Sequence, residues 1–417
     1  MGQFRQTGGA VGLALPRIRV MSIIVPALNL VLLVLLLPAL LACVYLFVLT
    51  LLSAPIRPPL NAKRTTRFDI LVPAHNEALV LERTLASVQQ LDWPKNNWRL
   101  VVIADNCTDA TAEIARKQGA TVLERCNTTQ RGKGYALDYG IRHCLDTGQA
   151  DAFVVIDADT EVSANLLSSF ASRLTCGADA IQAHYGVLNP DESWRTRLMT
   201  IAYSAFHAVR SRGRERLGVS CGLRGNGMCF SRHLMQTQPP EVYSLAEDVE
   251  YGVLLGLNNI RVHYADEAQV LAELPTSRQG TDSQRQRWET GRFLLIRTYA
   301  PRLLRQAWQK RSALCLDLAL DLLTLPLAYV VTSLVLTAFL AGAVSAILPD
   351  MAVWLWGCLG LFSALILHVF RGWQLCPLGP SALLTLLRVP FFIIWKLILV
   401  MKRHDGRWIR TKRNDRQ

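Results

Sequence analysis

Two kinds of hydrophobic pattern divide this chain. From residue 23 to residue 54 the sequence is apolar, and its only polar residues are Asn29, Tyr45, Thr50 and Ser53. About 20 apolar residues are enough for a helix to cross a bilayer core. We therefore expect a transmembrane helix over residues 28–54, preceded by a tail of residues 1–27. The run is longer than the apolar core of a cleaved signal peptide, so we expect it to remain in the mature protein.

Apolar runs return after residue 312. Residues 313–348 and 351–370 are each long enough to cross a bilayer, which predicts two further transmembrane helices. The link between them, Pro349-Asp350, contains no Lys or Arg and therefore favours the outer side of the membrane. The same rule places the central part of the chain in the cytoplasm. The arginines before the first span oppose this topology; they are Arg5, Arg17 and Arg19.

The last apolar stretch, residues 380–401, is interrupted by charge. Arg388 and Lys396 lie near its middle, where they are costly at the centre of a bilayer but tolerated at its surface. We expect an interfacial helix here, with a fourth span as the alternative. The basic tail of residues 402–417 suits the anionic surface of a cytoplasmic leaflet.

The region between the membrane segments alternates short apolar runs with stretches of helical periodicity. The predicted strands are residues 68–73, 100–104, 121–124 and 152–156. The predicted helices are residues 77–91, 108–118, 134–144 and 164–174. Such alternation predicts parallel strands in an α/β sheet, whose ligands bind beyond the carboxyl ends of the strands.

Polar residues stand at each of these strand ends. The first two strands end at Pro73-Ala74-His75-Asn76-Glu77 and at Asp105, which taken alone fit ordinary loops that cap helices. The loop after the third strand, Arg131-Gly132-Lys133-Gly134, joins glycine flexibility, free N–H groups and a lysine charge at the start of a helix. That combination favours phosphate, with a plain basic loop as the alternative.

The fourth strand is followed by Asp157-Ala158-Asp159. Carboxylate oxygens of this kind suit Mg²⁺ or Mn²⁺, which can bridge a diphosphate. Two acidic residues at the start of a loop are common, so the motif gains its weight from the other three strand ends.

Two later motifs complete the candidate chemistry. Glu247 and Asp248 open a predicted helix, where acidic residues also complement the helix dipole. Gln284, Arg287 and Trp288 lie in a helix-like stretch before the membrane, where Arg and Trp are common interface anchors. The chemical alternative is a guanidinium held against phosphate and an indole that forms one wall of an acceptor site.

In their order along the chain these motifs resemble the family 2 glycosyltransferases with a GT-A fold, in particular the membrane-integrated group of cellulose, chitin and hyaluronan synthases and ceramide glucosyltransferase. The family's nucleoside-binding Asp, DxD, (T/S/A)ED-like motif and QxxRW are matched by Asp105, by Asp157 and Asp159, by Glu247 and Asp248, and by Gln284, Arg287 and Trp288. The resemblance implies an α/β GT-A catalytic domain at residues 64–281, inserted between transmembrane helices, and QxxRW interface helices at residues 282–311.

The resemblance also implies a role for each motif residue. Nucleotide-sugar contacts are expected from Pro73, His75, Asn76, Glu77, Asp105, Lys133, Asp157, Gln284, Arg287 and Trp288. Acceptor contacts are expected from Gly225, Asn226, Gly227, Glu247 and Trp288. Asp159, with Asp157, would bind Mg²⁺ or Mn²⁺. Asp248 would be the general base that takes the proton from the acceptor hydroxyl, and one such displacement inverts the anomeric centre.

The net charge indicates which kind of surface the protein binds, and the cysteine pattern indicates the redox state of its thiols. The formal net charge is +13, and much of the excess lies in the basic tail, so we expect a lipid bilayer rather than nucleic acid as the partner surface. The ten cysteines form no CxxC pair, which favours reduced thiols. Residues 194–216 carry six arginines and predict either a basic segment at the membrane surface or a solvated charged face.

These observations support one main hypothesis, an integral protein of a bacterial inner membrane with its catalytic domain in the cytoplasm. It would move a sugar from a nucleotide-diphospho-sugar, with UDP as the expected nucleotide, to a growing polysaccharide; the sequence names no export partner. Residues 222–230 lack the aromatic-cysteine-glycine sequence of the large synthases, which leaves the acceptor type open. Three spans and an interfacial helix are few for enclosing a polymer, so single-sugar transfer to a membrane lipid is the alternative. A non-catalytic membrane transport or binding protein is disfavoured by the presence of Asp157, Asp159, Asp248 and the QxxRW motif together. A nucleotidyltransferase is disfavoured because it would not need the QxxRW motif beside the membrane.

Overall fold

A mixed sheet occupies the centre of the computed structural model. The model describes residues 14–60, 63–274, 278–391, 393 and 394, but not the side chains of residues 14–21 and 278–290. Within those residues the strands are β1 (Phe68–Ala74), β2 (Trp98–Asp105), β3 (Thr121–Arg125), β4 (Ala152–Val155), β5 (Thr160–Val162), β6 (Ala180–Val187), β7 (Met228–Ser231) and β8 (Val262–Ala272). They form one eight-stranded sheet in the order β3-β2-β1-β4-β7-β6-β8-β5.

The first four strands are parallel, as predicted from the alternation of strands and helices. Strand β1 pairs with β2 and β4, and β2 pairs with β3. The other half of the sheet is mixed, because β7 runs antiparallel to both of its neighbours and β5 runs antiparallel to β8. The prediction of an α/β fold is therefore confirmed, and the antiparallel strands are an addition that the sequence pattern did not reveal.

Helices cover both faces of this sheet and extend beyond it. Their bounds are α1 (Ala14–Leu51), α2 (Leu81–Gln89), α3 (Thr111–Lys117), α4 (Lys133–Thr147), α5 (Leu166–Thr175), α6 (Trp194–Tyr203), α7 (Arg210–Arg216), α8 (Arg232–Thr237), α9 (Glu247–Leu257), α10 (Arg278–Lys310), α11 (Ala313–Leu323), α12 (Leu327–Ile347), α13 (Ala352–Gln374) and α14 (Ala382–Thr385). A π-helix, Ser204–Val209, joins α6 to α7.

Alternate strand residues point to opposite faces of the sheet. On one face Ile70 and Val72 pack with α2 and α5 in a buried cluster. On the other face Leu71 packs with α4 and α9 in a second cluster. Because both faces are buried, the parallel strands read as continuous apolar runs rather than as alternating ones.

The chain divides into two compact units. Among the described residues, the first comprises those up to Tyr45 together with Thr324–Ile366, and the second comprises those from Leu46 to Leu323 and those from Leu367 to residue 394. Three helical stretches in the described residues are long and apolar enough to cross a membrane, namely Ser22–Leu51, Leu327–Ile347 and Pro349–Gln374. A shorter apolar helix covers Ala382–Phe391, within the stretch where an interfacial helix or fourth span is predicted.

Several predicted boundaries differ from the helices. Helix α1 begins at Ala14, inside the predicted tail of residues 1–27, because the apolar stretch is preceded by further residues compatible with a helix. The predicted helix of residues 313–348 is interrupted before α12, whose N-cap is Pro326. Proline lacks a backbone N–H and disfavours helical conformation in the residue before it. The basic tail of residues 402–417 lies outside the described residues.

Neither interpretation of the basic segment at residues 194–216 holds for its central arginines. Arg214 is fully buried and pairs with Asp317 at 2.6 Å, and Arg210, 6% exposed, pairs with Asp321. The partners lie 103 and 111 residues further along the chain, so local charge patterning gave no sign of them. These two side chains are therefore paired with carboxylates inside the protein and do not belong to a solvated charged face.

Candidate active site

The loops after β1 and β2 are tied together at the carboxyl edge of the sheet. The Nδ1 atom of His75 lies 2.7 Å from the backbone oxygen of Asp105, and the Thr108 N–H donates to Asn76 Oδ1 at 2.7 Å. The Glu77 N–H donates to Thr111 Oγ1 at 2.8 Å, which fixes the end of the same loop. Pro73 belongs to β1 itself, opposite Ile103 of β2. The expected nucleoside-binding residues thus come together, although they are separated by about 30 positions in the chain.

Two asparagines mark this edge by their backbone conformation. Asn76 and Asn106 adopt left-handed φ angles of 55° and 51°, directly after β1 and β2. Asparagine tolerates this region better than most residues, and such positions concentrate at ligand sites. The conformation turns each loop sharply away from its strand at the sheet edge where ligands of such sheets bind.

Asp105 is held by a neighbour that the sequence motifs did not identify. Its side chain is buried, and Oδ1 accepts hydrogen bonds from Arg125 Nη1 at 2.7 Å and from Asn106 Nδ2 at 3.0 Å. The Arg125 guanidinium lies 5.9 Å from the centre of the Tyr135 ring, which stacks on Tyr243 at 4.0 Å. Arg125 is the last residue of β3. Its pairing with Asp105 could not be predicted from the sequence, because it depends on β2 and β3 being neighbours in the sheet.

Lys133 joins the candidate phosphate-binding loop, residues 131–134, to the candidate metal motif, residues 157–159. It is the first residue of α4, preceded by Gly132 at φ 126°, a conformation that favours glycine. Its Nζ forms an ion pair with Asp157 and donates to the backbone oxygen of Gly225 at 2.5 Å. Burial alone would lower the pKa of Lys133, but the carboxylates of Asp157 and Glu247 raise it above its ordinary value. The lysine is therefore charged and held at the metal motif.

A buried amide side chain, that of Asn226, holds the backbone of the candidate metal motif Asp157-Ala158-Asp159 in place. Asn226 has no solvent exposure; its Oδ1 accepts from the Asp157 N–H at 3.1 Å, and its Nδ2 donates to Thr160 Oγ1 at 2.8 Å. Gln182 of β6 donates to the Asn226 backbone oxygen at 2.7 Å. The side chain of Asn226, expected at the acceptor, is thus used inside the protein to fix the loop between β4 and β5. Gln182 was missed, because it carries no motif.

The donor set at this loop fits a hard divalent cation. Asp157 and Asp159 supply carboxylate oxygens, the ligands that Mg²⁺ and Mn²⁺ prefer, and two protein carboxylates with a substrate diphosphate form a common set. Burial raises the pKa of the neighbouring Tyr185 well above its ordinary value, and the nearby Tyr203 hydroxyl and the Asp157 and Asp159 carboxylates act in the same direction. No cluster of three or more acidic, His or Cys side chains suited to a metal occurs in the described part of the chain.

The candidate base, Asp248, lies close to Lys133, and both side chains approach Gly225. Gly225 adopts φ 78°, and a Cβ built on it would come within 3.2 Å of Asp248 Oδ2 and 3.7 Å of Lys133 Nζ. Glycine is therefore required both by the backbone and by the closeness of these two charged groups. Gly227 has φ 66°, and a Cβ there would meet the Val270 side chain at 2.6 Å. Gly225 and Gly227, which are expected near the acceptor, thus allow the loop before β7 to pass close to the Asp248 carboxylate.

The two adjacent carboxylates at the start of α9 are in an environment that favours their protonated forms. An apolar cavity lined by Leu137, Leu223 and Met228, among others, reaches both side chains. Burial, followed by the charge of Asp248, raises the pKa of Glu247 to about 7. Burial also raises the pKa of Asp248, against the opposing effects of the Val249 backbone N–H, Lys133 and Arg224. A carboxylate with a raised pKa is a stronger base, as proton abstraction from a hydroxyl requires.

The side chains of Gln284, Arg287 and Trp288 lie outside the described residues, although their backbone belongs to α10. The next turn of this helix is described. A Cβ on Gly291 would lie 3.0 Å from Ala246 Cβ, so the helix passes very close to the N-terminus of α9. Further along, the Tyr299 hydroxyl donates to Glu250 Oε1 at 2.6 Å. Helix α10 therefore runs beside the helix that carries Glu247 and Asp248.

Comparisons with known proteins agree with the motifs. A family model described as "Glycosyltransferase like family 2" matches residues 66–291. Glucomannan 4-beta-mannosyltransferase 7 of Arabidopsis thaliana is 24% identical over 256 residues, which cover 58% of this chain and 46% of that protein. Probable glycosyltransferase YdaM of Bacillus subtilis (strain 168) is 22% identical over 267 residues, which cover 62% of each chain. This chain thus spans less than two thirds of the length of these two curated relatives.

Among solved structures, the mannosyltransferase PcManGT from Pyrobaculum calidifontis in complex with GDP-Man and Mn²⁺ is 17% identical. The match covers 80% of this chain and 99% of that one, with a TM-score of 0.47.

Proposed function

This chain belongs to family 2 of the glycosyltransferases, and we propose that it transfers a sugar, with inversion, from a nucleotide-diphospho-sugar to a hydroxyl acceptor at the carboxyl edge of its sheet. The α/β GT-A fold expected from the motifs is confirmed by the family match and the sheet. The observation that carries the proposal is the position of Lys133, whose Nζ contacts Asp157 and the Gly225 backbone beside Asp248. The residues to which we assign phosphate binding, metal binding and proton acceptance therefore lie next to one another.

The donor nucleoside would occupy the tied loops after β1 and β2. Asp105 would accept a hydrogen bond from the base through Oδ2, since both of its bonds within the protein use Oδ1. Pro73, His75, Asn76 and Glu77 would line the same pocket. A UDP-sugar is the proposed donor, because uracil offers a single ring N–H to one carboxylate oxygen.

The diphosphate would lie between Lys133 and the metal motif. A divalent ion, Mg²⁺ or Mn²⁺, held by Asp159 and Asp157 would neutralise part of the charge on the departing diphosphate. Lys133 supplies a fixed positive charge on the same group, and Arg287 would add a second one from α10. Charge held in advance at the leaving group stabilises the transition state without reorganisation.

Asp248 would act on the acceptor. Its carboxylate takes the proton of the acceptor hydroxyl while the hydroxyl oxygen bonds to the anomeric carbon. The bond from that carbon to the diphosphate breaks with its electron pair, so the product carries the inverted configuration. Burial keeps the pKa values of Glu247 and Asp248 high, and Gly225, Gly227 and Trp288 would form the acceptor side of the site.

A growing polysaccharide is the first acceptor that we propose, in keeping with the family group that the motifs resemble. A membrane lipid is the second, and it is favoured by the three apolar helices in the described residues, which are few for enclosing a polymer. With either acceptor we propose that helices α1, α12 and α13 anchor the enzyme in a bacterial inner membrane with the catalytic domain in the cytoplasm.

A donor panel tests the reaction. The purified full chain, reconstituted in vesicles of bacterial lipids, is incubated with UDP- and GDP-linked hexoses in the presence of Mg²⁺, Mn²⁺ or EDTA, and release of nucleoside diphosphate is followed. We expect release with one nucleotide class and none after chelation. Activity that survives complete chelation would contradict the metal role, and the length distribution of the product separates polymer from single addition.

A further inference from the structure

A group of charged side chains lies next to the proposed site without a role in the reaction described above. We call it the arginine cluster, and it consists of Arg210, Arg214, Arg224 and Arg292 with Asp317 and Asp321. Arg214 pairs with both aspartates, at 2.6 and 3.2 Å, and Arg210 pairs with Asp321. Arg292 donates to the backbone oxygens of Asp321 and Leu322 at 2.5 and 3.1 Å. Four guanidinium groups thus surround two carboxylates.

The cluster carries more positive charge than its carboxylates balance. Within the described residues the Nε atoms of Arg210 and Arg224 are buried without a hydrogen-bond partner. Both guanidinium groups lie over the Phe206 ring, at 4.5 and 4.2 Å from its centre. Burial lowers the pKa of Arg224, and Arg214 and Arg210 lower it further against the opposing effect of Asp321. Because buried unbalanced charge is strongly unfavourable, this arrangement is suited to a bound anion.

The position of the cluster connects it with the acceptor. Arg224 directly precedes Gly225, the residue beside Lys133 and Asp248. The segment that carries Arg210 is also packed against the ends of two apolar helices. A Cβ on Gly213 would lie 2.8 Å from the Leu49 backbone oxygen, and a Cβ on Gly372 would lie 2.8 Å from Ala205 Cβ. The cluster is therefore connected through Arg224 to the loop beside the candidate base, and the segment that carries Arg210 contacts the ends of helices α1 and α13.

We propose that the arginine cluster binds the phosphate of a membrane lipid whose headgroup also carries a free hydroxyl, and that it presents this hydroxyl to Asp248. The proposal rests on the proposed function and selects its lipid acceptor. Guanidinium groups bind phosphate through paired, charge-assisted hydrogen bonds, and the cluster has several such groups within one small volume. The phosphate remains intact: the sugar bonds to the hydroxyl oxygen, the hydroxyl proton goes to Asp248, and nucleoside diphosphate leaves.

The first test compares lipids. The full chain is reconstituted in phosphatidylcholine vesicles that contain phosphatidylglycerol, which has phosphate and hydroxyls, or diacylglycerol, which has a hydroxyl but no phosphate. Lipid products are detected by mass spectrometry with the donor found in the panel. We expect glycosylated phosphatidylglycerol and at least about tenfold less product from diacylglycerol, the ratio that loss of a charged hydrogen bond produces. Equal use of the two lipids would overturn the proposal.

The second test measures binding without catalysis. The detergent-purified chain is saturated with UDP and Mn²⁺, which occupies the donor site, and its thermal stabilisation by glycerol 3-phosphate, inorganic phosphate and glycerol is compared at equal concentrations. We expect the largest shift with glycerol 3-phosphate. An equal shift with glycerol would overturn the proposal, and an equal shift with inorganic phosphate would indicate a free-phosphate site and overturn the lipid source. Binding without transfer to any lipid would overturn the lipid acceptor, whereas failure of every donor in the panel to release nucleoside diphosphate would refute the proposed function itself.

Variants connect both tests to the cluster. Arg224→Gln should raise KM for phosphatidylglycerol roughly tenfold while KM for the donor stays unchanged. Arg197→Gln is the matched control, because Arg197 lies on α6 and pairs with the exposed Asp191. Asp321→Asn removes a negative charge from the cluster and should strengthen glycerol 3-phosphate binding, whereas a merely structural role predicts weaker binding in both cluster variants. Weaker binding by Asp321→Asn, or unchanged binding by Arg224→Gln, would therefore overturn the proposal.

Discussion

Replacement of Asp248 by Asn separates the catalytic role of this carboxylate from its effect on stability. The amide keeps the shape of the side chain but cannot take a proton. General-base catalysis contributes on the order of 10² to 10⁴ in rate, so we expect kcat to fall by that factor. The KM for the donor should change little, because Asp248 lies beside Gly225, on the side that we propose for the acceptor. Asp191→Asn, at an exposed ion pair, is the control.

The same substitution should leave the protein at least as stable. The pKa of Glu247 is raised from 4.5 to about 7 by burial and then by the charge of Asp248. A raised pKa means that the native state binds this proton more tightly than the unfolded state, so its stabilising contribution is complete below about pH 4.5 and is lost as the pH rises through 7. Removal of the Asp248 charge lessens that loss. We therefore expect the Asn variant to show a smaller decrease in Tm than the wild type between these two pH values.

The assay combines steady-state release of nucleoside diphosphate with thermal unfolding of the same preparations. A kcat within about threefold of the wild type, far less than a general base contributes, would refute the role of Asp248 as base. A large drop in Tm together with lost activity would instead show that the residue acts through folding. Only lost activity with retained Tm agrees with the proposed mechanism.

Further substitutions test the metal, the charge network and the backbone. Asp159→Asn should raise the Mn²⁺ concentration for half-maximal activity at least roughly tenfold, and an unchanged metal titration would argue against ligation. Asp317→Ala should destabilise the fold by about 3–5 kcal/mol, measured by denaturant unfolding, because it leaves Arg214 buried with fewer partners; a change below about 1 kcal/mol would contradict this. The kcat/KM of the wild type should rise from pH 5 to pH 8 as the coupled Glu247–Asp248 pair loses its protons, and a flat profile would count against it. Gly227→Ala should lower Tm, since the new Cβ meets the Val270 side chain at 2.6 Å.

The parallel half of the sheet and the motif residues at its edge could be predicted because their signals are local. Each of the first four strands is a short apolar run followed by a helical pattern, and ligands of such sheets bind at the carboxyl ends. Burial on both faces makes these runs conspicuous. The loops that carry His75 and Asp105 accordingly lie together, as the order of the motifs implied.

The remaining features depend on contacts between distant parts of the chain. The pairing of β7 between β4 and β6 joins segments that no turn signal connects. Gln182 and Arg125 support Asn226 and Asp105, yet neither belongs to a motif. Arg214 looked like part of a charged surface, and only its contact with Asp317, 103 residues away, shows that it is buried. Such partners become visible only when the strand order and the helix packing are known.

The most direct test of the proposed reaction is to follow the sugar itself. The reconstituted enzyme is given an isotopically labelled nucleotide-sugar with Mn²⁺, and the membrane fraction is analysed by mass spectrometry and by NMR of the anomeric carbon. We predict a product that carries the label through a new glycosidic bond with the configuration opposite to that of the donor. Release of nucleoside diphosphate without labelled product, or a product that retains the donor configuration, would contradict an inverting transfer with Asp248 as base.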